Sequence, residues 1–494
     1  MMRRENILSK IIWGASALFH DAGLSVIKDG KIVFGAHAER YSGVKHDKHL
    51  NQKIIDEALT YGKPDVVAWY EKPWKKNIRK MISGEWHYVG FEGSPAKYMQ
   101  QFGVTAPLKT FDHHYSHAAA GAFTNPKNMG TVVVLDAIGE FITCSVWEYD
   151  DRKGLKHLYN SKYPHSFGLL YSAFTKRCGL RPMDEEYITM GMAGWGKPIY
   201  KNRIKKDFIE SYHPFVMKKN VHEGLGDYLP GADVMDIAAS IQAVAEEFIV
   251  EYTKEAMAKT NYANNHLIYQ GGVALNCVAN SNIFGHADSV WIMPNPGDCG
   301  SSLGAALAEH GRRVKWSGPY IGTNIPNPYP VDAIITELNT NKIVGVASGR
   351  AEFGPRALGH RSLLADPRGP EIKDQVNAIK RRQKFRPFAP AILKEHVNEY
   401  FDICTDDSPY MQFVGVCKKP KEFPAIIHVD GTSRVQTVGK DDSTGFRQLL
   451  ETWYEKTGCP ILLNTSLNIR GEPMVNTRED ADRFESKYGI KVCS

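Results

Sequence analysis

Between residues 11 and 36 the apolar positions fall in short runs broken by turn residues, a pattern of strands rather than helices. Ile11–Ser16 is one run, Gly23–Lys28 a second and residues 31–36 a third, with Asp29-Gly30 as a tight hairpin turn between the last two. A similar layout recurs at residues 131–136 and 142–147, turning at 150–154. Each time the first strand delivers a polar residue at its end, His20-Asp21 and then Asp136. Two strand-turn-hairpin units predict a duplicated α/β core with a cleft between its lobes.

Residues 233–259 change to a helical period, with Met235, Ile237, Ile241, Val244, Phe248 and Val250 apolar and Asp233 placed as the N-cap. Residues 265–270 then read as a buried strand ending in Gly271-Gly272, a turn that lets backbone approach a phosphate or ribose. Residues 316–332 are rich in Gly, Pro and Asn and mark a domain boundary, after which 342–347 opens a second α/β unit. Residues 111–122, small and alanine-rich, read as a helix. On it His113 and His117 stand one turn apart, so both imidazoles can reach one metal ion.

At 494 residues the chain is too long for one ordinary core, and 43% hydrophobic with 23% charged residues describes a globular protein. A net charge of +6 permits an anionic substrate but does not argue for nucleic acid. The eight scattered cysteines contain no C-x-x-C, which speaks against a zinc finger or thioredoxin motif and for reduced thiols in a cytoplasmic protein. Arg3-Arg4 and the apolar residues after them resemble a signal peptide, but Lys10 interrupts the run and His20-Asp21 replace a cleavage site. No apolar run approaches a membrane span.

Three segments of the second unit concentrate cations: residues 349–362, residues 380–390, and Ser433-Arg434 with residues 463–468. Guanidinium forks and a lysine point charge held among Gly, Pro and aromatic residues suit a fixed anion cradle. Charge runs such as Lys380 to Lys384 are usually solvated helix faces. Here Phe385-Arg386-Pro387-Phe388-Ala389-Pro390 would bury or immobilise Arg386.

Gly354-Pro355-Arg356-Ala357-Leu358-Gly359 followed by Arg386-Pro387-Phe388-Ala389-Pro390 resembles the NodU/CmcH family of O-carbamoyltransferases. So do Phe19-His20-Asp21-Ala22, Glu39-Arg40 with Lys45-His46-Asp47, His113 to His117, Gly271 to Asn280, Pro296-Gly297-Asp298 and Asn464-Thr465-Ser466. The resemblance implies an actin/hexokinase-like carbamoyl-transfer domain over residues 1–325 and a YrdC-like, carbamoyl-adenylate-forming domain over 326–494. The substrates it implies are ATP (with Mg2+), carbamoyl phosphate and a small-molecule or nucleoside hydroxyl. Carried over by position, His113, His117, Asp136 and Asp298 would hold an iron(II)-type ion, with Mn2+ or Zn2+ also compatible. His20 would be the general base on the acceptor hydroxyl. Lys45 and Asn276 would contact the adenylate in the transfer domain; Arg356, Lys380, Arg386, Arg434, Asn464 and Ser466 would contact ATP and carbamoyl phosphate in the other. The family also allows a homodimer.

Several positions depart from the family pattern. Ile188 stands where Lys is usual, Gly194-Trp195 replaces a Pro-aromatic pair, and Ala137 follows Asp136 where Gly is common. These departures are expected on the acceptor side. The chain ends soon after residues 478–484, where a further strand is usual. Two alternatives are a threonylcarbamoyl or N-carbamoyl transferase acting on nucleic acid and a nucleotide-binding scaffold without turnover. The hydrogenase-maturation type is disfavoured, because its acylphosphatase and cysteine-rich zinc modules are missing.

Overall fold

The computed structural model describes residues 10–494 apart from 83–93, 262, 384 and 443, so Arg3, Arg4 and Lys384 lie outside the described residues. Strands β1 (Ile11–Ser16), β2 (Gly23–Lys28), β3 (Lys31–His37), β4 (Val66–Trp69) and β5 (Leu108–Thr110) form a sheet in the order β3-β2-β1-β4-β5. β1 to β3 run antiparallel, while β4 and β5 run parallel to β1. Asp29 (φ 52°) and Gly30 (φ 72°) make the hairpin turn with two left-handed residues, as its two-residue length requires.

The second sheet repeats this plan. β6 (Met129–Leu135), β7 (Ile142–Asp150) and β8 (Gly154–Lys162) form its antiparallel part. After a small hairpin of β9 (Ile209–Ser211) and β10 (Val216–Met217), β11 (His266–Gln270) and β12 (Ser289–Trp291) add the parallel pair, giving β12-β11-β6-β7-β8. The duplicated α/β core expected from the two hairpin units is therefore present. The long helix Val234–Lys259 packs against the second sheet, and the Asp233 carboxylate caps it by accepting from Met235 N at 2.8 Å.

Between the lobes the helices His113–Thr124 and Ser301–His310 press together through small residues. A Cβ at Gly304 would lie 1.9 Å from Ser116 O, so only glycine allows this approach. Because the obstruction is backbone rather than a flexible side chain, Gly304→Val is expected to destabilise the protein by about 3 kcal/mol. An unchanged urea unfolding midpoint would show that the helices can separate freely.

The third part is an eight-stranded mixed sheet. Its order is Phe401–Ile403, Phe413–Cys417, Thr432–Val438, Ala389–Leu393, Ile461–Ser466, Arg361–Ala365, Ile343–Ala347 and Val492–Cys493. One face is covered by the helices Val331–Asn341 and Phe446–Thr457, the other by Ile372–Ile379 and Arg478–Tyr488. The strand expected to be missing after the last helix is thus present: Val492–Cys493 pairs in parallel with Ile343–Ala347. Tyr320–Ile325 pairs with Gly349–Glu352, and Arg350 donates to Val33 O at 2.6 Å, tying this part to the first lobe.

Candidate functional site: a buried four-donor cluster and a cationic cradle

The two copies of the strand plan deliver their polar ends toward one place. His113 and His117 come from the inter-lobe helix, Asp136 follows β6, and Asp298 begins the turn that leads into Ser301–His310. The two Nε2 atoms are 3.1 Å apart, and His113 Nε2 lies 3.2 Å from Asp136 Oδ2. Asp298 Oδ1 is 3.3 Å from His117 Nε2 and 3.5 Å from His113 Nε2. All four side chains are buried, with one donor atom from each within 4.8 Å of the others. Two nitrogens and two carboxylates converging in this way fit a borderline divalent ion such as Fe2+, Mn2+ or Zn2+. Burial pushes the Asp136 carboxyl upward, but the bond to His113 and the nearby His117 outweigh it and hold it well below the usual carboxylate range. Glu140 supports the helix start by accepting from His113 N and Lys72 N at 3.1 and 2.8 Å.

His20 lies at the rim of this cluster, its Nε2 3.5 Å from Asp298 Oδ2 and its Nδ1 3.0 Å from Asp21 Oδ2. Burial pulls its pKa down, yet Asp298, Asp21 and Asp136 more than reverse this and raise it to about 9. Two of those carboxylates are donors of the four-residue cluster, so cation binding there and protonation of His20 oppose each other. Asp21 in turn binds His46 Nδ1 at 2.7 Å, and His46 Nε2 binds Asp184 at 2.7 Å. Burial lowers the His46 pKa, but the bonds to Asp184 and Asp21 raise it to about 10 against the opposing charge of Lys45. Since the folded pKa exceeds the unfolded value of about 6.5, the stabilisation is complete below that pH and is lost as pH rises through about 10. His46→Gln is therefore expected to be less stable than the unmodified protein at pH 6, with the gap closing toward pH 10.5. A gap independent of pH would show that His46 is not charged in the fold.

The sequence-predicted adenylate contacts of the transfer half are engaged with protein. Lys45 Nζ reaches both Glu39 oxygens at 2.8 and 2.9 Å. Asn276 is the N-cap of the helix Cys277–Ser281, accepting from Ala279 N at 3.1 Å and exchanging bonds with Gln242.

In the third part, Arg356, Lys380, Arg386 and Arg434 come together, joined by Arg382. Lys380 follows the last residue of Ile372–Ile379 and is buried, so this first residue of the basic run is not on a solvated helix face. Its Nζ is held by Ser466 O at 2.5 Å, Ser466 Oγ at 3.2 Å and Asn468 Oδ1 at 2.9 Å. Asn464 Nδ2 donates to Gln436 Oε1 at 2.7 Å and Ala357 O at 3.1 Å. The Arg434 Nε is buried without a partner among the described residues. Burial and then the Arg434 charge lower the Arg356 pKa to about 9, and burial with neighbouring arginines pushes Arg382 well down. Among the described residues these four arginines form no ion pair with a carboxylate. A cluster of that kind is incomplete without anions. Arg350 and Arg361, also in the predicted cradle segment, are instead spent on backbone carbonyls.

The departing segment also has a definite place. Ile188 is 1% exposed in the core of the second lobe, where a lysine would bury its charge. Arg386 Cζ stands 4.9 Å from the centre of the Tyr187 ring, and Arg470 donates to Glu185 at 3.0 Å. Tyr187 therefore meets the cationic cradle, and Glu185 meets Arg470 beside it. The sequence assigns no role to Arg382, Gln436, Asn468 or the chain Asp21, His46, Asp184, although Asp21, His46, Arg382 and Asn468 lie in its motif or cationic segments.

Comparison with known proteins gives two family matches, the carbamoyltransferase N-terminus over residues 92–307 and the carbamoyltransferase C-terminus over residues 335–493. An uncharacterized protein of Synechocystis sp. is 31% identical over 96% of this chain and 93% of its own length. Nodulation protein U of Rhizobium tropici is 36% identical over 92% and 90%. A 3'-hydroxymethylcephem-O-carbamoyltransferase of Amycolatopsis lactamdurans is 27% identical over 95% of both. Component A of (R)-2-hydroxyglutaryl-CoA dehydratase from Acidaminococcus fermentans matches at 16% identity over 61% of this chain and 97% of that one. Its TM-score is 0.35, a likeness too distant to bear on fold or function. Relatives matched over nearly their whole length and two family matches that together span most of the chain agree, and the chain belongs to the NodU/CmcH family of carbamoyltransferases.

Proposed function

We propose that this carbamoyltransferase makes carbamoyl-adenylate from ATP and carbamoyl phosphate and passes the carbamoyl group to a hydroxyl of a small-molecule acceptor. The YrdC-like reading of residues 326–494 assigns activation to that part, and the actin/hexokinase-like reading of 1–325 assigns transfer to the duplicated lobes. The observation that carries this is the set of buried Lys380 with half-buried Arg356, Arg382, Arg386 and Arg434, whose arginines pair with no carboxylate among the described residues. Two polyanions brought together need that many fixed cations.

Atom balance sets the steps. Water takes the phosphate of carbamoyl phosphate, the freed carbamate oxygen attacks the α-phosphorus of ATP, and pyrophosphate leaves. The acceptor oxygen then attacks the carbamoyl carbon, and AMP departs with the electrons of the broken C–O bond. Arg386 and Arg356 would neutralise phosphate oxygens, while Lys380, Asn464 and Ser466 would shape the site beside them. Arg434, with its Nε unsatisfied, is ready to donate to a phosphate. In the transfer half His20 donates Nδ1–H to Asp21, and with a cation at the four-donor cluster offsetting Asp298 and Asp136 its Nε2 would be free to take the acceptor's proton. Lys45 and Asn276 would meet the adenylate by exchanging their present partners. His113, His117, Asp136 and Asp298 would hold a divalent ion that polarises adenylate oxygens, Fe2+ being the first candidate. No helix among the described residues is long and apolar enough to cross a membrane.

The test follows α-labelled ATP with carbamoyl phosphate, using water as a surrogate acceptor. Carbamoyl-phosphate-dependent AMP is expected, falling roughly 10²- to 10⁴-fold in His20→Ala. ADP in place of AMP would overturn the reading, since it means cleavage at the γ-phosphate.

A further inference from the structure

The ring of His20 is about one-third exposed (29%), so packing alone does not fix it. Its orientation depends on Asp21, whose one oxygen accepts from His20 and whose other oxygen meets His46 Nδ1 at 2.7 Å. His46 is held at its second nitrogen by Asp184 Oδ1 at 2.7 Å, and Asp184 Oδ2 by Arg181 at 2.8 Å. The result is an alternating row from Asp298 through His20, Asp21, His46 and Asp184 to Arg181. It joins four stretches of chain that are separated in sequence.

The backbone along this row is held in an unusual state. Leu18 (φ 73°), Asp21 (φ 50°), His46 (φ 55°) and Met183 (φ 63°) are all left-handed without being glycine. Such conformations persist where surrounding contacts over-determine them, and they gather at functional sites. Here the backbone contacts are Leu18 N to Lys48 O at 2.7 Å and Ala22 N to Asp47 O at 2.8 Å, which dock the His20 turn on the His46 segment. Neither His46 nor Asp184 reaches the four-donor cluster or the arginine cradle, so the functional reading leaves both without a task.

We propose that His46 and Asp184 are positioning residues that fix the Asp21 carboxylate and, through it, aim His20 Nε2 at the reacting hydroxyl. The inference rests on the reading of His20 as the base. It also gives the segment containing Asp184 a second role, because its neighbours Glu185 and Tyr187 lie against Arg470 and Arg386. One short segment thus touches both centres.

The experiment uses full-length, metal-free protein labelled with 15N-histidine. The His20 Nδ1–H, identified by its absence in His20→Gln, should give a hydrogen-bonded downfield proton resonance. Asp184→Ala is expected to remove that resonance and Asp184→Asn to keep it, since the Asn carbonyl still accepts from His46. In the metal-loaded forms of the same variants carbamoyl-phosphate-dependent AMP release should fall roughly 10- to 100-fold in kcat for Asp184→Ala, with partial rescue by Asn. Pyrophosphate exchange should stay within about twofold, because the activation site keeps its cations. If Asp184→Ala does not fold, His46→Ala breaks the same link from its other side and carries the same expectation. Persistence of the resonance in the folded variant, or its absence in the unmodified protein, overturns the proposal. Should the unmodified protein make no AMP, the carbamoyl-adenylate reading fails separately, and the resonance still decides what holds His20.

Discussion

Arg386→Ala is expected to lower carbamoyl-phosphate-dependent ATP–pyrophosphate exchange by about 10²- to 10³-fold, the usual loss when a fixed donor to a developing charge is removed. The side chain is half-buried, stacks on Tyr187 and sits among Arg356, Arg382 and Arg434 without a carboxylate partner among the described residues. Truncation therefore removes one planar, always-charged fork from the cationic set. Arg386→Lys should recover only part of the rate, because an ammonium is a point charge and cannot grip two phosphate oxygens in parallel. His20→Ala should exchange normally, since His20 belongs to the other centre. Equal losses in all three variants would mean one indivisible site rather than two.

His113→Ala should abolish stoichiometric metal. Its Nε2 is the hub of the cluster, 3.1 Å from His117 Nε2 and 3.2 Å from Asp136 Oδ2. Without it one nitrogen and two carboxylates remain, a harder and less complete donor set for a borderline ion. Affinity should fall at least about 100-fold, more than a supporting residue typically accounts for. Elemental analysis of protein purified side by side reads this directly: near one ion per chain in the unmodified protein, little in the variant. Arg386→Ala should retain its metal, which separates the two centres again. Equal metal in both variants would exclude the four-donor cluster as the binding site.

Where local pattern decides structure, the sequence could be read closely. The Asp29-Gly30 hairpin, the strands on either side of it and the Asp233-capped helix depend on near neighbours, and each forms within one or two residues of its expected bounds. The four donors were legible for a different reason: motif resemblance names His113, His117, Asp136 and Asp298, which the fold brings together from three places in the chain. What stayed hidden depends on long-range partners. His46 meets Asp21 and Asp184, 25 and 138 residues away, and no local spacing announces such a row. Arg361 looks like a phosphate ligand in sequence, yet the chain bends so that its guanidinium fills with carbonyls of Asn476, Ser348 and Thr323. Asn276 shows the same limit, since its amide completes a helix start and a pair with Gln242. The departing segment, expected on the acceptor side, also meets the other centre: Tyr187 lies under Arg386 and Glu185 pairs with Arg470.

Under the proposed function a carbamoyl group is joined to AMP before any acceptor is needed. Incubating the purified full-length protein with ATP, carbamoyl phosphate and labelled pyrophosphate, then counting label returned to ATP, tests this step. Exchange that requires carbamoyl phosphate and proceeds with no acceptor present is expected. Folded, metal-loaded protein that returns no label, or returns it equally without carbamoyl phosphate, would contradict it.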